Sequence, residues 1–296
     1  MLKEANITGN KIPSTELIIT EEGRIYHLDL KPDEIGNTII LVGDQDRVPS
    51  ISKYFDRIEI KRSKREFITH TGLINNKRVS VISSGIGCDN IDIVINELDA
   101  LVNIDFKDKC IKKEHTSLEI IRIGTCGALQ ENIPVDSFIL STYGLGFDGL
   151  LSFYNPIYEN DEIALQKAFS QQTPWPDDAN RPYFVKGNKE LGNKIGKGMY
   201  AGITATANGF YGPQGRTLRL TTKVPDMNKF LNRFEYKNHK VLNFEMETSA
   251  LYGLSALLGH KSCTVCAVIG NRFSNMFSEN YKKTVNDLVK TVLKRL

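Results

Sequence analysis

The 296-residue sequence predicts an α/β fold around a central, mostly parallel or mixed sheet. Three observations predict it. Short continuous apolar runs stop at glycine-rich or polar turns, as strands buried on both faces do. Between them lie longer segments whose apolar residues recur at helical spacing. No Pro/Ser-rich linker, low-complexity tract or internal repeat splits the chain. In such sheets ligands sit where strands end and loops begin, so those loops are the places to look for chemistry.

Residues 1–24 read as an N-terminal extension, and 25–296 as the domain. Thr38–Val42 is the first apolar run and stops at Gly43-Asp44. Val79–Ile82 is a second, ending at Ser83-Ser84-Gly85-Ile86-Gly87. A helix is expected over Asn90–Leu101, with apolar residues at 91, 94, 95, 98, 101 and 102. Glu119–Ile123 is a strand closed by a turn at Gly124-Thr125-Cys126-Gly127, and Ser137–Thr142 is another strand. A polar stretch rich in Pro and Asn spans Gln171–Asn188 before a strand at Met199–Thr206. Glu245–Leu258 has helical periodicity and is closed by Gly259. A strand at Ser262–Ile269 and an amphipathic helix at Ser278–Leu296 complete the pattern.

The composition narrows the function. The apolar fraction is 41% and the charged fraction 25%, as in ordinary globular proteins that bury a large core. A net charge of +3 argues against nucleic acid as the main partner, since phosphate-backbone binders carry a clear basic excess. Met1–Lys11 is too polar for a signal peptide, and no apolar run approaches the ~18 residues that span a bilayer. A cytoplasmic protein with no membrane partner is expected. The five cysteines read as reduced thiols. Cys263 and Cys266 stand three apart on a strand and face opposite ways, so they cannot share one metal. No metal site is expected.

Several short segments carry chemistry. Gly43-Asp44-Gln45-Asp46-Arg47 ends a strand with free amides and a guanidinium, which suits either an anion or a capped turn with a surface Arg. Arg122 lies inside an apolar strand just before Gly124, Thr125 and Gly127; a buried guanidinium needs an anionic partner. The set can hold a tetrahedral oxyanion, or Arg122 can close an internal salt bridge. Asn243-Phe244-Glu245-Met246-Glu247 opens a helix, where carboxylates either cap the first turn or accept two sugar hydroxyls. Phe210-Tyr211-Gly212-Pro213-Gln214-Gly215-Arg216 is a loop whose aromatics can cover a flat ring. There Gln214 offers a donor and an acceptor and Arg216 only donors, matching an imide N–H flanked by carbonyls, as in uracil. Gly144-Leu145-Gly146-Phe147-Asp148-Gly149 fits a dinucleotide fingerprint, but Asn155-Pro156 follows too soon for the helix that fingerprint needs. In the basic cluster Lys61, Arg62, Lys64 and Arg65 the lysines read as a solvated strand end.

Taken in order, these pieces resemble the uridine phosphorylase branch of the nucleoside phosphorylase family. The shared motifs are Gly-Asp-x-Asp-Arg-Val at 43–48, Arg-Glu-Phe at 65–67, Ser-Gly-Ile-Gly at 84–87, Arg-Ile-Gly-Thr-x-Gly at 122–127, Phe-Tyr-x-x-Gln-x-Arg at 210–216 and Glu-Met-Glu at 245–247. The resemblance implies a single α/β domain with a twisted mixed sheet flanked by helices. It implies phosphate binding by Gly43, Arg47, Arg122 and Thr125, with Arg65 reaching the same phosphate from a neighbouring subunit. His27 would cross the same interface toward the ribose 5′-hydroxyl, while Met246 and Glu247 hold the ribose. Phe210, Gln214 and Arg216 would bind the base, with Arg272 beside it. The implied activity is phosphorolysis of a nucleoside, a pentosyl transfer that needs inorganic phosphate but no cofactor. A homo-oligomer, dimer or hexamer, with shared sites is implied too. Gln45 replaces a common proline, Cys126 a common threonine, and Gly212-Pro213 reverses a frequent Pro-Gly. Residues Asn103–Ser117 form an insertion. The rivals are a purine nucleoside phosphorylase, a hydrolytic nucleosidase and a non-catalytic nucleoside-binding protein. The purine enzymes use an aspartate near the end of the penultimate strand, and Val265–Phe273 contains neither Asp nor Glu.

Overall fold

A computed structural model describes residues 11–296, so the first ten residues of the expected extension lie outside it. Along the chain run β1 (Thr38–Val42), α1 (Arg47–Ser52), β2 (Arg57–Lys64), β3 (Phe67–Ile74), β4 (Lys77–Ser83) and α2 (Cys88–Asn103). Two short strands follow, β5 (Ile104–Asp105) and β6 (Cys110–Ile111), then β7 (Glu119–Ala128), β8 (Phe138–Gly146), α3 (Asn160–Gln172) and β9 (Tyr183–Lys186). The rest comprises α4 (Lys189–Ile195), β10 (Tyr200–Thr206), α5 (Met227–Arg233), β11 (Glu235–Tyr236), β12 (His239–Glu245), α6 (Thr248–Leu257), β13 (Lys261–Asn271), β14 (Met276–Phe277) and α7 (Tyr281–Leu293).

One mixed sheet runs β11-β12-β10-β8-β13-β7-β1-β4-β3-β2. A further antiparallel pairing, Asn243 with Ala128 and Phe244 with Gly127, joins β12 back to β7. It closes β12, β10, β8, β13 and β7 into a ring. That closure brings β7, which carries Arg122 and Thr125, beside the end of β12, which leads to Glu245 and Glu247. Residues more than a hundred apart in sequence thus meet at one rim.

The strands are apolar because both faces are covered. α2 and α6 pack one side through Ile91, Val94, Ile95, Leu98, Leu101, Leu251 and Leu254. On the other, Val285, Leu288, Val289 and Val292 of α7 meet Ile121, Ile123, Cys263 and Val265. The N-cap Asn280 accepts from the Lys283 amide at 3.2 Å and starts α7. Cys263 packs in that layer, whereas Cys266 belongs to a separate cluster with Cys126, as the strand spacing predicts.

Three expectations are corrected. Gly124–Gly127 is not a turn: β7 continues to Ala128 because β13 keeps pairing with it, Gly124 with Cys266 and Thr125 with Ala267. Glu245 does not begin a helix; it ends β12, and α6 starts at Thr248. Lys64 is not simply solvated, since its Nζ donates to Tyr26 O at 2.6 Å; its neighbour Arg62 donates from Nη2 to Glu34 Oε1 at 2.7 Å. At the fingerprint-like segment, a Cβ on Gly144 would lie 2.8 Å from Ser249 Cα and one on Gly146 2.3 Å from the Tyr183 ring. Those glycines let α6 and β9 approach β8, and a 3-10 turn at Leu150–Phe153 follows in place of a long helix. The 103–117 insertion folds as the β5–β6 hairpin, and Ile12 N donates to Lys109 O there at 2.8 Å. Leu17 is buried in the same core as α2, so the segment before residue 25 packs against the domain.

Candidate active site

A cleft of about 1220 Å³ opens at the rim where β1, β7, β12 and β13 end. Gly43, Arg47, Arg122, Thr125, Phe210, Gln214, Arg216, Met246, Glu247 and Arg272 all line it. Ten of the twelve residues singled out from sequence therefore share one cavity. His27 and Arg65 do not line it.

Arg122 anchors the floor. Its side chain is 5% exposed and is gripped by two carboxylates: Nη2 donates to Glu247 Oε2, and Nη1 lies 3.2 Å from Glu245 Oε2. Burial alone would lower the guanidinium's pKa, but Glu247 and Glu245 outweigh it and hold it above the usual arginine range. Arg122 stays charged. A Cβ on Gly124 would meet Arg122 Nη1 at 2.1 Å. That glycine thus makes room for the guanidinium folding back over the strand.

The Glu-Met-Glu segment divides two tasks that sequence left as alternatives. Glu245 takes the structural one: its oxygens accept from the amides of Glu247 at 2.9 Å and Thr248 at 3.0 Å, and from Thr206 Oγ1 at 2.7 Å. Glu247 has no capping bond to its helix. It turns toward the cleft, with Oε1 accepting from the Gly87 amide at 2.8 Å. Arg47 is mostly buried beside this pair and donates to Ile123 O at 3.2 Å; burial pulls its pKa down. Two guanidiniums thus face two carboxylates in the floor. An incoming phosphate adds up to two negative charges that this balance does not neutralise.

At the other end, Arg216 lies 3.7 Å over the Phe210 ring centroid and donates to Gln214 Oε1 at 2.5 Å. Arg272 donates to Gln214 O at 2.5 Å and to Oε1 at 3.3 Å, and burial followed by Arg216 pushes its pKa down to about 10. Both lone pairs of Oε1 are engaged. Gln214 therefore presents its NH2 and no acceptor, which corrects the expectation that it offers both. Asn271, at the end of β13, is used up by the fold: Nδ2 donates to Gln130 O and Ile133 O, and Oδ1 accepts from Phe273 N and Ser274 N.

Residues 37–296 match the Phosphorylase superfamily. The chain belongs to that superfamily. Uridine phosphorylase of Thermococcus kodakarensis is 30% identical over 283 residues, covering 92% of this chain and 87% of that protein. A DeoD-type purine nucleoside phosphorylase of Colwellia psychrerythraea is 27% identical, covering 90% and 97%. The crystal structure of a Trypanosoma brucei nucleoside phosphorylase, described as showing uridine phosphorylase activity, superposes with a TM-score of 0.87 at 30% identity, over 95% of this chain and 99% of that one. The protein is thus a pentosyltransferase of the nucleoside phosphorylase kind, on the branch the motif order indicates.

The two residues outside the cleft stand on segments that touch each other. The His27 ring packs edge-on against Phe67 at 6.4 Å between centroids, and Lys64 Nζ reaches Tyr26 O. Arg65 is exposed at the tip of the same β2–β3 hairpin with φ 53, and its carbonyl accepts from Gln45 Nε2 at 2.8 Å. It is the adjoining Glu66 that lines the cleft. Glu245 and Gly87 both lie in motifs legible in the sequence, but the contact of Glu245 with Arg122 and of the Gly87 amide with Glu247 emerges only in the fold. Asp99, His115 and His260 place donor atoms within 4.8 Å of one another, away from the cleft lining. However, His260 Nδ1 accepts from the Leu118 amide at 3.2 Å, which puts the proton of a neutral ring on Nε2, 3.3 Å from Asp99. That tautomer is a poor metal ligand. No helix among the described residues is long and apolar enough to cross a membrane.

Proposed function

We propose that the protein cleaves uridine with inorganic phosphate, giving uracil and ribose 1-phosphate. The observation that carries this reading is the base end of the cleft. Gln214, Arg216 and Arg272 crowd it with donors, and β13 ends in an Asn271 that is spent on the fold. A purine leaves most readily when an acid protonates its ring. A uracil ring instead leaves as an anion, which donors stabilise. Its carbonyls accept from the Gln214 NH2 and Arg216. Its N–H takes Gln214 Oε1 once Arg216 turns toward the base.

In this mechanism Arg47, Arg122, the Gly43 amide and Thr125 hold phosphate under the anomeric carbon, a matter of position and charge. Glu247 accepts from the ribose hydroxyls beside Met246. As the glycosidic bond stretches, phosphate and Glu247 favour the oxocarbenium-like sugar, and the bonding electrons pass into the base. The chemistry asks for no metal or organic cofactor. Arg65 and His27 act in a neighbouring copy of a homo-oligomer. Two observations support this: they stand on touching segments outside their own cleft, and the floor is short of positive charge for a phosphate. A cytoplasmic salvage enzyme fits the reading.

The test is a panel of uridine, thymidine, inosine and adenosine with phosphate. A site built to hydrogen-bond one base rejects another by factors on the order of 10⁴. Uridine should lead the purines by a wide margin; a lead for inosine would move the protein to the purine branch.

A further inference from the structure

The turn that carries His27 is bound by one carboxylate. Glu97 of α2 accepts from the His27 amide at 3.0 Å, the Leu28 amide at 2.8 Å and the His27 ring at Nδ1, 2.6 Å away. Its side chain is 12% exposed, and that of His27 is 27% exposed. An ionised carboxylate only accepts, so the proton of this contact belongs to Nδ1. In the neutral ring Nε2 is then left with its lone pair. Phe67 packs against the ring and restrains it. Asp29 closes the turn with φ 55, and Lys64 ties down Tyr26 O.

We infer that Glu97 is a positioning residue. It locks His27 as the Nδ1–H tautomer, so that Nε2 accepts a hydrogen bond from the 5′-hydroxyl of a nucleoside in a neighbouring copy's cleft. The inference rests on the proposed placing of His27 across the subunit interface and adds the residue that sets its polarity. Glu97 thereby makes a free 5′-OH, as a donor, part of substrate choice. Glutamine cannot replace it. An amide has one accepting oxygen for three donors, and its NH2 would either face a backbone N–H or donate to Nδ1 and invert the tautomer.

The experiment compares kcat/KM for uridine and 5′-deoxyuridine in the wild type, His27→Ala, Glu97→Gln and the double variant. The wild type should favour uridine by roughly tenfold, the size of one hydrogen bond. His27→Ala should bring the ratio near one, Glu97→Gln should come close to that value, and the double variant should fall no further. If His27→Ala keeps the preference, the interface placing of His27 is wrong and the inference goes with it. If His27→Ala removes the preference while Glu97→Gln lowers both substrates equally and keeps it, Glu97 is only a structural tie and the inference alone is overturned. A wild-type arm needs no variant to fold: 5′-O-methyluridine keeps the oxygen but lacks the proton. It should do no better than 5′-deoxyuridine, and turnover at the uridine rate would show Nε2 to be a donor and refute the tautomer.

Discussion

Gly124→Ala isolates the packing that holds Arg122. Gly124 is not among the residues with positive φ, so alanine meets no backbone strain there. The added methyl would lie 2.1 Å from Arg122 Nη1 and 3.0 Å from Cys266 Sγ, where 3.4 Å begins ordinary contact. The guanidinium must therefore retreat by more than ~1 Å from its seat on β7, toward the cleft that it lines. Its ion pairs with Glu245, at 3.2 Å, and with Glu247 must stretch or break for it to move. Losing one charge-assisted bond to phosphate costs about 1.5–3 kcal/mol, which is roughly 10- to 150-fold in kcat/KM for phosphate. Initial rates across phosphate concentrations, with Tm recorded alongside, read this out. Gly192→Ala in α4 is the control, since its new methyl meets nothing nearer than 3.7 Å and helix propensity favours alanine. Wild-type phosphate kinetics in Gly124→Ala would refute the idea that this glycine seats the guanidinium.

Two further outcomes are expected. When Arg65→Ala and Arg122→Ala are unfolded and refolded together, subunit exchange should create sites with both arginines, and activity should exceed that of either variant; confirmed exchange with no gain would return Arg65 to its own subunit. Glu34 should contribute to acid stability. Burial alone would raise its pKa, but the hydrogen bonds from Arg62 and Arg24 lower it to about 2. Because the folded value lies below the unfolded one of about 4.3, the contribution, of order 3 kcal/mol, is complete above that pH and is lost as pH falls toward 2. Tm measured from neutral pH down to acid should fall less steeply below about pH 4.5 in Glu34→Gln than in the wild type; parallel curves would count against the Arg24–Glu34–Arg62 clamp.

What the sequence revealed, and what it hid, follows from locality. Arg122 stood out because a guanidinium in an apolar strand demands a partner, and two carboxylates supply one. Helix α2 was legible because its buried face repeats at 91, 94, 95 and 98. Strand β12 was missed because Lys240 and Asn243 interrupt its apolar run; Asn243 is buried there, accepting from Thr204 Oγ1 at 2.9 Å. The turn expected at Gly124–Gly127 failed for a non-local reason, since pairing with β13 overrides glycine's preference for turns. Ring closure between β7 and β12 left no trace in either strand alone. Nor could spacing tell that Glu245 would cap α6 while Glu247 faced Arg122, because both stood at the same helix start. The free polarity of Gln214 depended on Arg272, more than fifty residues away.

The central claim is that phosphate, not water, attacks the nucleoside. Incubating the purified protein with uridine in buffer freed of phosphate, and then with phosphate added, tests it directly, with uracil and ribose 1-phosphate quantified. The account predicts no appreciable uracil without phosphate, and equal amounts of uracil and ribose 1-phosphate with it. Uracil released at the same rate in both buffers, with free ribose as the sugar product, would contradict the account and make the protein a hydrolase on the same fold.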